Sequence, residues 1–539
     1  QGLLPRRTHY AVLPDPEGKR VGSGGATLHV LRYIAQREGE GENPFSGKRI
    51  LVIHSGGDSR RVPQYSACGK LFSPVPRQLP NGLGSTLFDE FVVGMSGVPS
   101  RIPEGMLVLS GDVLLLFNPL QIDFNHQDAA AISIKESVEV GKEHGVFLND
   151  GRNYVGQFLH KRTEERLRAL GAVDGRGNVD LDTGAVILSA GLLRALYALI
   201  STKGRADETK FSRFVNEKAR ISFYGDFLYP LAGAATWEQY EKEAAEGTMN
   251  EALLACRREI WEALSPFSMK LVCLSPADFI HFGTTAELLG LVTKEVEDYE
   301  FLDWKRHVLS TALPQAGFSS RHSYIDKSAR VEEGAYLENS YILENSCVGA
   351  GSVVSNGRLR GVSVPAGVVV HCLKLLDGRY VARVYGTEDN PKVTLEKDGT
   401  FLGSRMAEFL EKNGLSPKML WKREAAQETD EHSLWFAALY PAAECLEEAI
   451  HLGLLVKKMA EGRATEQEVD TWMRSERFSL YESFNRADAL WVDVWQRELE
   501  YRILVNGFMD ALEKGTYYKE ALRIFGVRGI GEEIYAMLA

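Results

Sequence analysis

A short apolar run that ends on two glycines sets the frame for this chain. Arg49–His54 reads RILVIH, an apolar and β-branched run with the pattern of a buried strand. It leads directly into Ser55-Gly56-Gly57-Asp58-Ser59; Arg60 and Arg61 follow at once, and Lys70 comes after Ser66 and Gly69. Tandem glycines let backbone N–H groups approach an anion without interference from a Cβ. The cations that follow can neutralise charge on its oxygens. Strand, glycine turn and cations together predict a polyphosphate cradle in an α/β fold, where ligands lie beyond the carboxyl ends of strands. A tight turn carrying surface arginines is the plainer reading, and three cations with two glycines in one stretch weigh against it.

Other segments fit the same plan. Gly22-Ser23-Gly24-Gly25-Ala26-Thr27 is expected as a loop that opens a helix, because Leu28, Leu31, Ile34 and Ala35 follow at helical spacing. A helix start offers unpaired N–H groups and positive potential to an anion. Gly105–Asp112 reads as a buried strand with Asp112 at its end, where a metal–phosphate complex would lie; a turn or N-cap aspartate is the alternative. Gly145–Leu148 and Tyr154–Leu159 alternate as a hairpin around Asn149-Asp150-Gly151, with Lys161 just beyond. Asp182-Thr183-Gly184 precedes a further apolar run. Arg220–Phe227 is expected as a strand that brings a second aspartate, Asp226, to Asp112; two carboxylates from distant strands suit Mg²⁺, a hard cation that takes oxygen ligands. Thr236–Leu264 is expected to be helical, and Lys270–Leu274 and Asp278–Gly283 to be strands, with His281 near the site but not catalytic.

The texture changes near Ser323. Small and β-branched residues recur about every six positions, at Ser323-Tyr324-Ile325, Ala329-Arg330-Val331, Ala335-Tyr336-Leu337, Ser340-Tyr341-Ile342, Ser346-Cys347-Val348 and Ser352-Val353-Val354. That period predicts a left-handed parallel β-helix ending near Val384. From Ser404 onward Leu, Ile, Phe and Trp return at helical spacing, with Trp435, Trp472, Trp491 and Trp495 as core anchors. The expected organisation is an α/β Rossmann-like catalytic domain over 1–315, the β-helix over 316–392 and an α-helical region over 393–539.

Composition excludes several classes. A net charge of −11 argues against a general nucleic-acid binder. The six cysteines form no C-x-x-C pair, so neither a zinc site nor a disulfide framework is indicated, and reduced cytoplasmic thiols fit. No apolar run is long enough to span a bilayer.

The stretch HSGGDSRRVP…SACGK resembles the signature of sugar-1-phosphate nucleotidyltransferases, most closely the fucose-1-phosphate guanylyltransferase family, including the nucleotidyltransferase part of bifunctional fucokinase/GDP-fucose pyrophosphorylases. DPEGKRVGSGGATLHVL at Asp15–Leu31 and FIHFGTT at Phe279–Thr285 resemble the same family. The lysine here follows a glycine, where the commonest pyrophosphorylase pattern has a proline. The resemblance implies conversion of L-fucose 1-phosphate and GTP to GDP-L-fucose and pyrophosphate. It implies Arg60 and Lys70 as catalytic; Gly22, Ser23, Gly24, Gly25, Thr27, Gly56, Gly57, Ser59, Arg60 and Arg61 around the nucleotide; Lys161, Thr183, Gly184 and His281 around the sugar; and Asp112 and Asp226 on Mg²⁺. A homo-oligomer formed through the β-helix or helical region is expected, with a fucokinase partner or fused kinase lying outside this chain, whose sequence holds no kinase glycine–serine loop. Two rival readings stand: a hexapeptide-repeat acyltransferase, whose base would have to be His322 or His371 at the edges of the coils, and an inactive sugar-nucleotide-binding scaffold.

Overall fold

The computed structural model describes residues 8–55, 57, 59–80, 82–95, 101–102, 104–122, 128–312, 316–421 and 432–513. The chain is mixed α/β and forms two compact units, Gln1–Gly56 with Phe88–His281, and Gly57–Leu87 with Phe282–Ala539. The glycine turn after the first strand is therefore where the chain first passes from one unit to the other.

The first unit is built on a seven-stranded sheet. Helix α1 (Gly22–Glu38) precedes strand β1 (Arg49–His54), followed by β2 (Gly105–Ser110), β3 (Ala129–Ser137), β4 (Gly145–Asn149), β5 (Val155–His160), β6 (Asn178–Leu188) and β7 (Met269–Leu274). The order is β1-β2-β6-β3-β7, with the β4–β5 hairpin attached to β6. β1 and β2 are parallel, as are β3 and β7, while β6 runs antiparallel to both its neighbours. β2, β3 and β6 are covered on both faces, which is why MLVL, AAAI and AVIL read as continuous apolar runs. α1 packs Leu28, Leu31 and Ala35 into the core.

Three expectations change here. The glycine stretch Gly22–Thr27 is the first turn of α1, not a loop before it. Gly22 has φ +79°, and a Cβ there would lie 2.3 Å from the Ile221 carbonyl oxygen; at Gly24 it would lie 2.6 Å from the Ile221 side chain. The glycines thus admit the chain at Ile221, whose carbonyl accepts from the Gly24 N–H at 2.8 Å. Arg220–Phe227 is not a strand: Phe223–Phe227 forms one wide π-helical turn. Residues 236–264 hold two helices, Trp237–Tyr240 and Glu251–Leu264, rather than one.

In the second unit parallel strands follow one another at His307–Ser310, Ser319–Ile325, Tyr336–Ile342, Val353–Ser355 and Val368–Lys374. Ser319 pairs with Tyr336, Tyr336 with Val353 and Val353 with Val369, so the chain repeatedly returns alongside itself. A second parallel sheet joins Arg330–Val331, Cys347–Val348 and Ser363–Val364, and Arg358–Leu359 pairs with Tyr341–Ile342. The small residues of the repeat lie inside: Ser323, Ser340 and Ser352 are fully buried. Tyr380–Gly386 then turns antiparallel onto Val368–Lys374.

The region expected to be wholly helical from Ser404 onward also contains strands. Tyr440–Ala443 pairs with Tyr380–Val381 and Arg477–Phe478 pairs with Tyr440–Pro441, which extends the sheet. Helices Leu446–Ala460 and Ala489–Glu513 accompany them, while 422–431 and 514–539 lie outside the described residues. Trp435 and Trp472 are fully buried, Trp495 donates its Nε1–H to the Asn339 carbonyl at 2.7 Å, and half-buried Trp491 packs on Tyr380 and Trp495. Among the described residues, no helix is long and apolar enough to cross a membrane.

Candidate active site

In the first unit the carboxyl ends of β1 and β2 lie side by side, with His54 opposite Ser110. The Gly111 N–H donates to the His54 carbonyl at 3.0 Å, and this tight exit leads to Asp112. The Ser110 hydroxyl donates to Asp112 Oδ1 at 2.6 Å, and His281 Nε2 lies 3.9 Å from Asp112 Oδ2. His281 ends the strand Ala277–His281, which pairs with Val113–Phe117 and so returns the histidine to the aspartate turn. Its ring meets the edge of His144 at a centroid distance of 4.9 Å, and the His144 carbonyl accepts from the Lys161 N–H at 2.9 Å. Asp112, His281, His144 and the backbone of Lys161 thus gather at one end of the sheet.

The bulge in β6 belongs to the same neighbourhood. Gly184 has φ +71°, and a Cβ there would lie 2.7 Å from that of Ser110, so only glycine lets the bulge approach β2. The Tyr224 hydroxyl donates to the Gly184 carbonyl at 3.3 Å. Burial, helped by the Asp182 and Asp112 carboxylates, pushes the Tyr224 hydroxyl pKa up. Burial also pushes Asp182 up to about 6, partly offset by the Gly184 N–H that it accepts at 2.9 Å. Burial pulls His54 down to about 4; its Nε2 meets the Thr27 hydroxyl at 3.0 Å, and its buried Nδ1 has no hydrogen-bond partner among the described residues.

Several expected ligand contacts are used internally. Thr27 is fully buried and donates to the Ser23 carbonyl at 2.9 Å; Gly24 and Gly25 are buried in α1. The Ser23 N–H and hydroxyl both point to Glu246 Oε2, at 3.4 and 3.2 Å, so a carboxylate of the chain already sits at the start of this helix. The Thr183 hydroxyl is buried and donates to the Ile132 carbonyl at 2.6 Å. Asp226 departs furthest from expectation. It is fully buried: Oδ1 accepts from Arg257 Nε at 2.7 Å, Oδ2 accepts from the Ser222 N–H at 2.7 Å, and Arg257 is equally buried. One oxygen is spent on an internal ion pair and the other on a backbone N–H, which removes the geometric basis for sharing a metal with Asp112.

In the second unit the signature segment forms two 3-10 turns, Pro63–Tyr65 and Lys70–Phe72. Gly57 has φ +88° and open space around it; Gly56 lies outside the described residues. Ser59 is buried at φ +53°. Arg60 is buried against the rings of Phe436 and Trp435, at 5.3 and 5.9 Å from their centroids. The Arg61 carbonyl accepts from the Thr285 N–H at 3.0 Å, and half-buried Lys70 donates to the Gly283 carbonyl at 3.5 Å. Gly283 and Thr285 belong to FIHFGTT, so two motifs far apart in sequence meet.

Among the described residues, no group of three His, Cys, Asp or Glu side chains is arranged to hold a metal. Mg²⁺, however, commonly takes one or two carboxylates, waters and substrate phosphates. Asp112 suits such a site, being partly exposed at the carboxyl end of a sheet strand with a second carboxylate, Asp182, acting on the same tyrosine.

A model of the fucose pyrophosphorylase domain matches residues 43–444. The chain belongs to the fucose pyrophosphorylase family. The matched span holds the signature segment, Asp112, the β6 bulge and the parallel strands of the second unit. Family relatives include the bifunctional fucokinase/GDP-fucose pyrophosphorylase of Arabidopsis thaliana, 26% identical across 89% of this chain and 48% of the relative. The fucose-1-phosphate guanylyltransferases of Mus musculus and Homo sapiens are 28% and 26% identical, across 84% and 83% of this chain and 81% and 78% of the relatives. The chain thus spans about half the length of the bifunctional plant relative and most of each mammalian one.

Sequence reasoning missed His54, His144, Asp182, Tyr224 and Thr285 as parts of these arrangements. His54, Asp182 and Thr285 stood inside quoted motifs. The other two are brought in by pairing between distant strands and turns, for which the sequence carries no local signal.

Proposed function

We propose that this chain is a nucleotidyltransferase that joins L-fucose 1-phosphate to GTP, giving GDP-L-fucose and pyrophosphate. The observation that carries this reading is the family match over 43–444, which includes both the cationic signature and the Asp112 strand end. In the reaction a phosphate oxygen of the sugar attacks the α-phosphorus of the nucleotide in line. That P–O bond forms as the bond to the β-phosphate oxygen breaks, and the electron pair leaves with pyrophosphate. Such chemistry needs positioning and charge neutralisation rather than a covalent nucleophile. Lys70 and Arg61 neutralise the polyphosphate, with the exposed backbone at Gly57 allowing close approach. Arg60, buried on Phe436 and Trp435, holds its stretch of the segment in place and adds positive potential. Asp112 would hold Mg²⁺, which when bound supplies further neutralisation of phosphate oxygens. His281 and Lys161 are the groups for the sugar phosphate, and Asp182, as a carboxylate, accepts from sugar hydroxyls.

The finer architecture is part of the proposal. The first unit is a Rossmann-like nucleotidyltransferase fold, and the repeatedly returning strands of the second are a left-handed β-helix, with 315 and 392 as boundaries of the successive segments. The protein works in the cytoplasm, forms a homo-oligomer through the β-helix or helical region, and receives its sugar phosphate from a fucokinase, fused or separate. The acyltransferase reading finds no support, because His371 is buried and already engaged by Arg383. Pyrophosphate release in a screen of four nucleoside triphosphates against a set of sugar 1-phosphates tests the reading. Release is expected with GTP and L-fucose 1-phosphate; silence with every pair overturns it.

A further inference from the structure

We infer that Arg383 is a positioning residue for nucleotidyl transfer, holding the signature segment from inside the sheet of the second unit. The inference rests on the proposed reaction. Arg383 is fully buried in the strand Tyr380–Gly386. Its Nη2 donates to the Pro63 carbonyl at 2.6 Å and its Nη1 to the Ser66 hydroxyl at 3.0 Å. Its Nε meets His371 Nδ1 at 3.1 Å. Burial and the neighbouring Arg383 hold the pKa of His371 well below the usual range, so the ring is neutral and Nδ1 accepts. Burial pulls Arg383 itself down to about 10, which leaves it charged at neutral pH. Among the described residues no carboxylate pairs with it.

A buried cation without a counterion is costly, and a hydrophobic residue of similar size is commonly as stable or more so. What the charge secures here is the position of one short segment. That segment is fixed at further points by buried polar groups. The Tyr385 hydroxyl donates to Gln64 Oε1 at 2.8 Å, the Thr285 hydroxyl reaches the same oxygen at 3.2 Å, and the Tyr65 hydroxyl donates to Glu338 Oε2 at 2.8 Å. Gln64, Tyr65 and Ser66 are thus each held, and the Gly69 N–H bonds to the Tyr65 carbonyl at 2.8 Å one residue before Lys70. The fork of Arg383 spans the start and end of this turn, so its geometry is transmitted to the place where Lys70 leaves the segment. A lysine in its place keeps the charge but loses the fork.

The test measures pyrophosphate release from GTP and L-fucose 1-phosphate by the full chain and its Arg383→Lys, Tyr385→Phe, Lys70→Ala and Val384→Ala variants, alongside thermal melting. Val384 is buried beside Gly453 of the helix Leu446–Ala460, away from the signature segment, and reports what core damage alone does. Turnover in Arg383→Lys is expected to fall about 100-fold, the scale of an ångström-sized misplacement. Tyr385→Phe, which removes one hydroxyl and keeps the ring, is expected to lose about fivefold, roughly one hydrogen bond, and carries the test should Arg383→Lys fail to fold. Because both act through Lys70, each loss combined with Lys70→Ala should be smaller than the product of the single losses. Folded variants whose turnover matches that of Val384→Ala, or losses that multiply with that of Lys70→Ala, overturn the positioning role while leaving the reaction standing. A wild-type chain that releases no pyrophosphate overturns the reaction itself, and this role with it.

Discussion

The two glycine-bearing motifs of this chain look alike in sequence and do different work. At Gly22–Thr27 the glycines remove side chains so that a helix can pack against Ile221, and the serine of the motif is occupied by Glu246. At Gly57–Lys70 the glycine has open space around it, and the residues that follow are held by buried donors in the sheet of the second unit. The first motif is explained by packing of backbone on backbone. The second is explained by a fixed segment presenting cations. A glycine-rich string therefore identifies an anion site only when its N–H groups and neighbouring cations are left for a ligand.

The comparison predicts that damage around the first motif appears in stability, and damage in the second appears in turnover. The largest effect is expected at Asp226, which anchors the π-turn beside the first motif. Asp226→Asn leaves the fully buried Arg257 without its counter-charge and should cost about 3–5 kcal/mol. Chemical denaturation of the first unit measures it. Preserved stability together with a raised Mg²⁺ requirement would restore the metal role and break the contrast. Next comes Lys70→Ala, expected to melt near the wild-type temperature while losing roughly 100-fold or more in turnover, the scale of one lost electrostatic donor. Near-native turnover in the folded variant would remove the second motif from the chemistry. Gly24→Ala follows, at about 1–3 kcal/mol, since its Cβ must displace Ile221. A variant as stable as wild type but weaker in GTP binding would show that the first motif, too, faces the nucleotide.

Much of this was legible in the sequence because it is local. The strands Arg49–His54 and Gly105–Ser110, the hairpin around Asn149-Asp150-Gly151 and the repeat near Ser323 follow from periodicity and turn chemistry within a few residues. Arg220–Phe227 misled because alternating Ile221, Phe223 and Phe227 suit a strand, whereas the Asp226–Arg257 pair fixes a wide turn. Ser404 onward misled because helices dominate its pattern, while the short strands Tyr440–Ala443 and Arg477–Phe478 exist only through partners far away in sequence. The candidate site was half legible for the same reason. Lys70 and Asp112 stand out by type and neighbours, whereas Arg383 and its contact with His371 become visible only once the strands pair.

The smallest effect sharpens the comparison inside the first unit, because Asp182 belongs to its candidate site and is nonetheless held at a cost. Burial raises the folded-state pKa of Asp182 from 3.8 to about 6. Below pH 3.8 the group is protonated in both folded and unfolded chains and costs nothing. As pH rises towards about 6 the unfolded chain ionises first, so the wild type loses stability through that window. Above about 6 both states are ionised and the loss is constant. Asp182→Asn never ionises, and its amide oxygen can still accept the Gly184 N–H, so its advantage over wild type should be absent near the bottom of the window, grow through it and level off above. Its size is expected to be on the order of 1 kcal/mol, allowing for the solvent that still reaches the partly exposed side chain. His54, pulled down to about 4, works in the opposite direction, its contribution fading as pH falls below its ordinary value of 6.5; it is common to both proteins and cancels in the difference. Unfolding midpoints of the pair measured at half-unit pH steps supply the test. A difference that stays flat between pH 4 and 7 would mean that Asp182 is as well solvated as a surface carboxylate, and the contrast between a costed site residue and its packed surroundings would not hold.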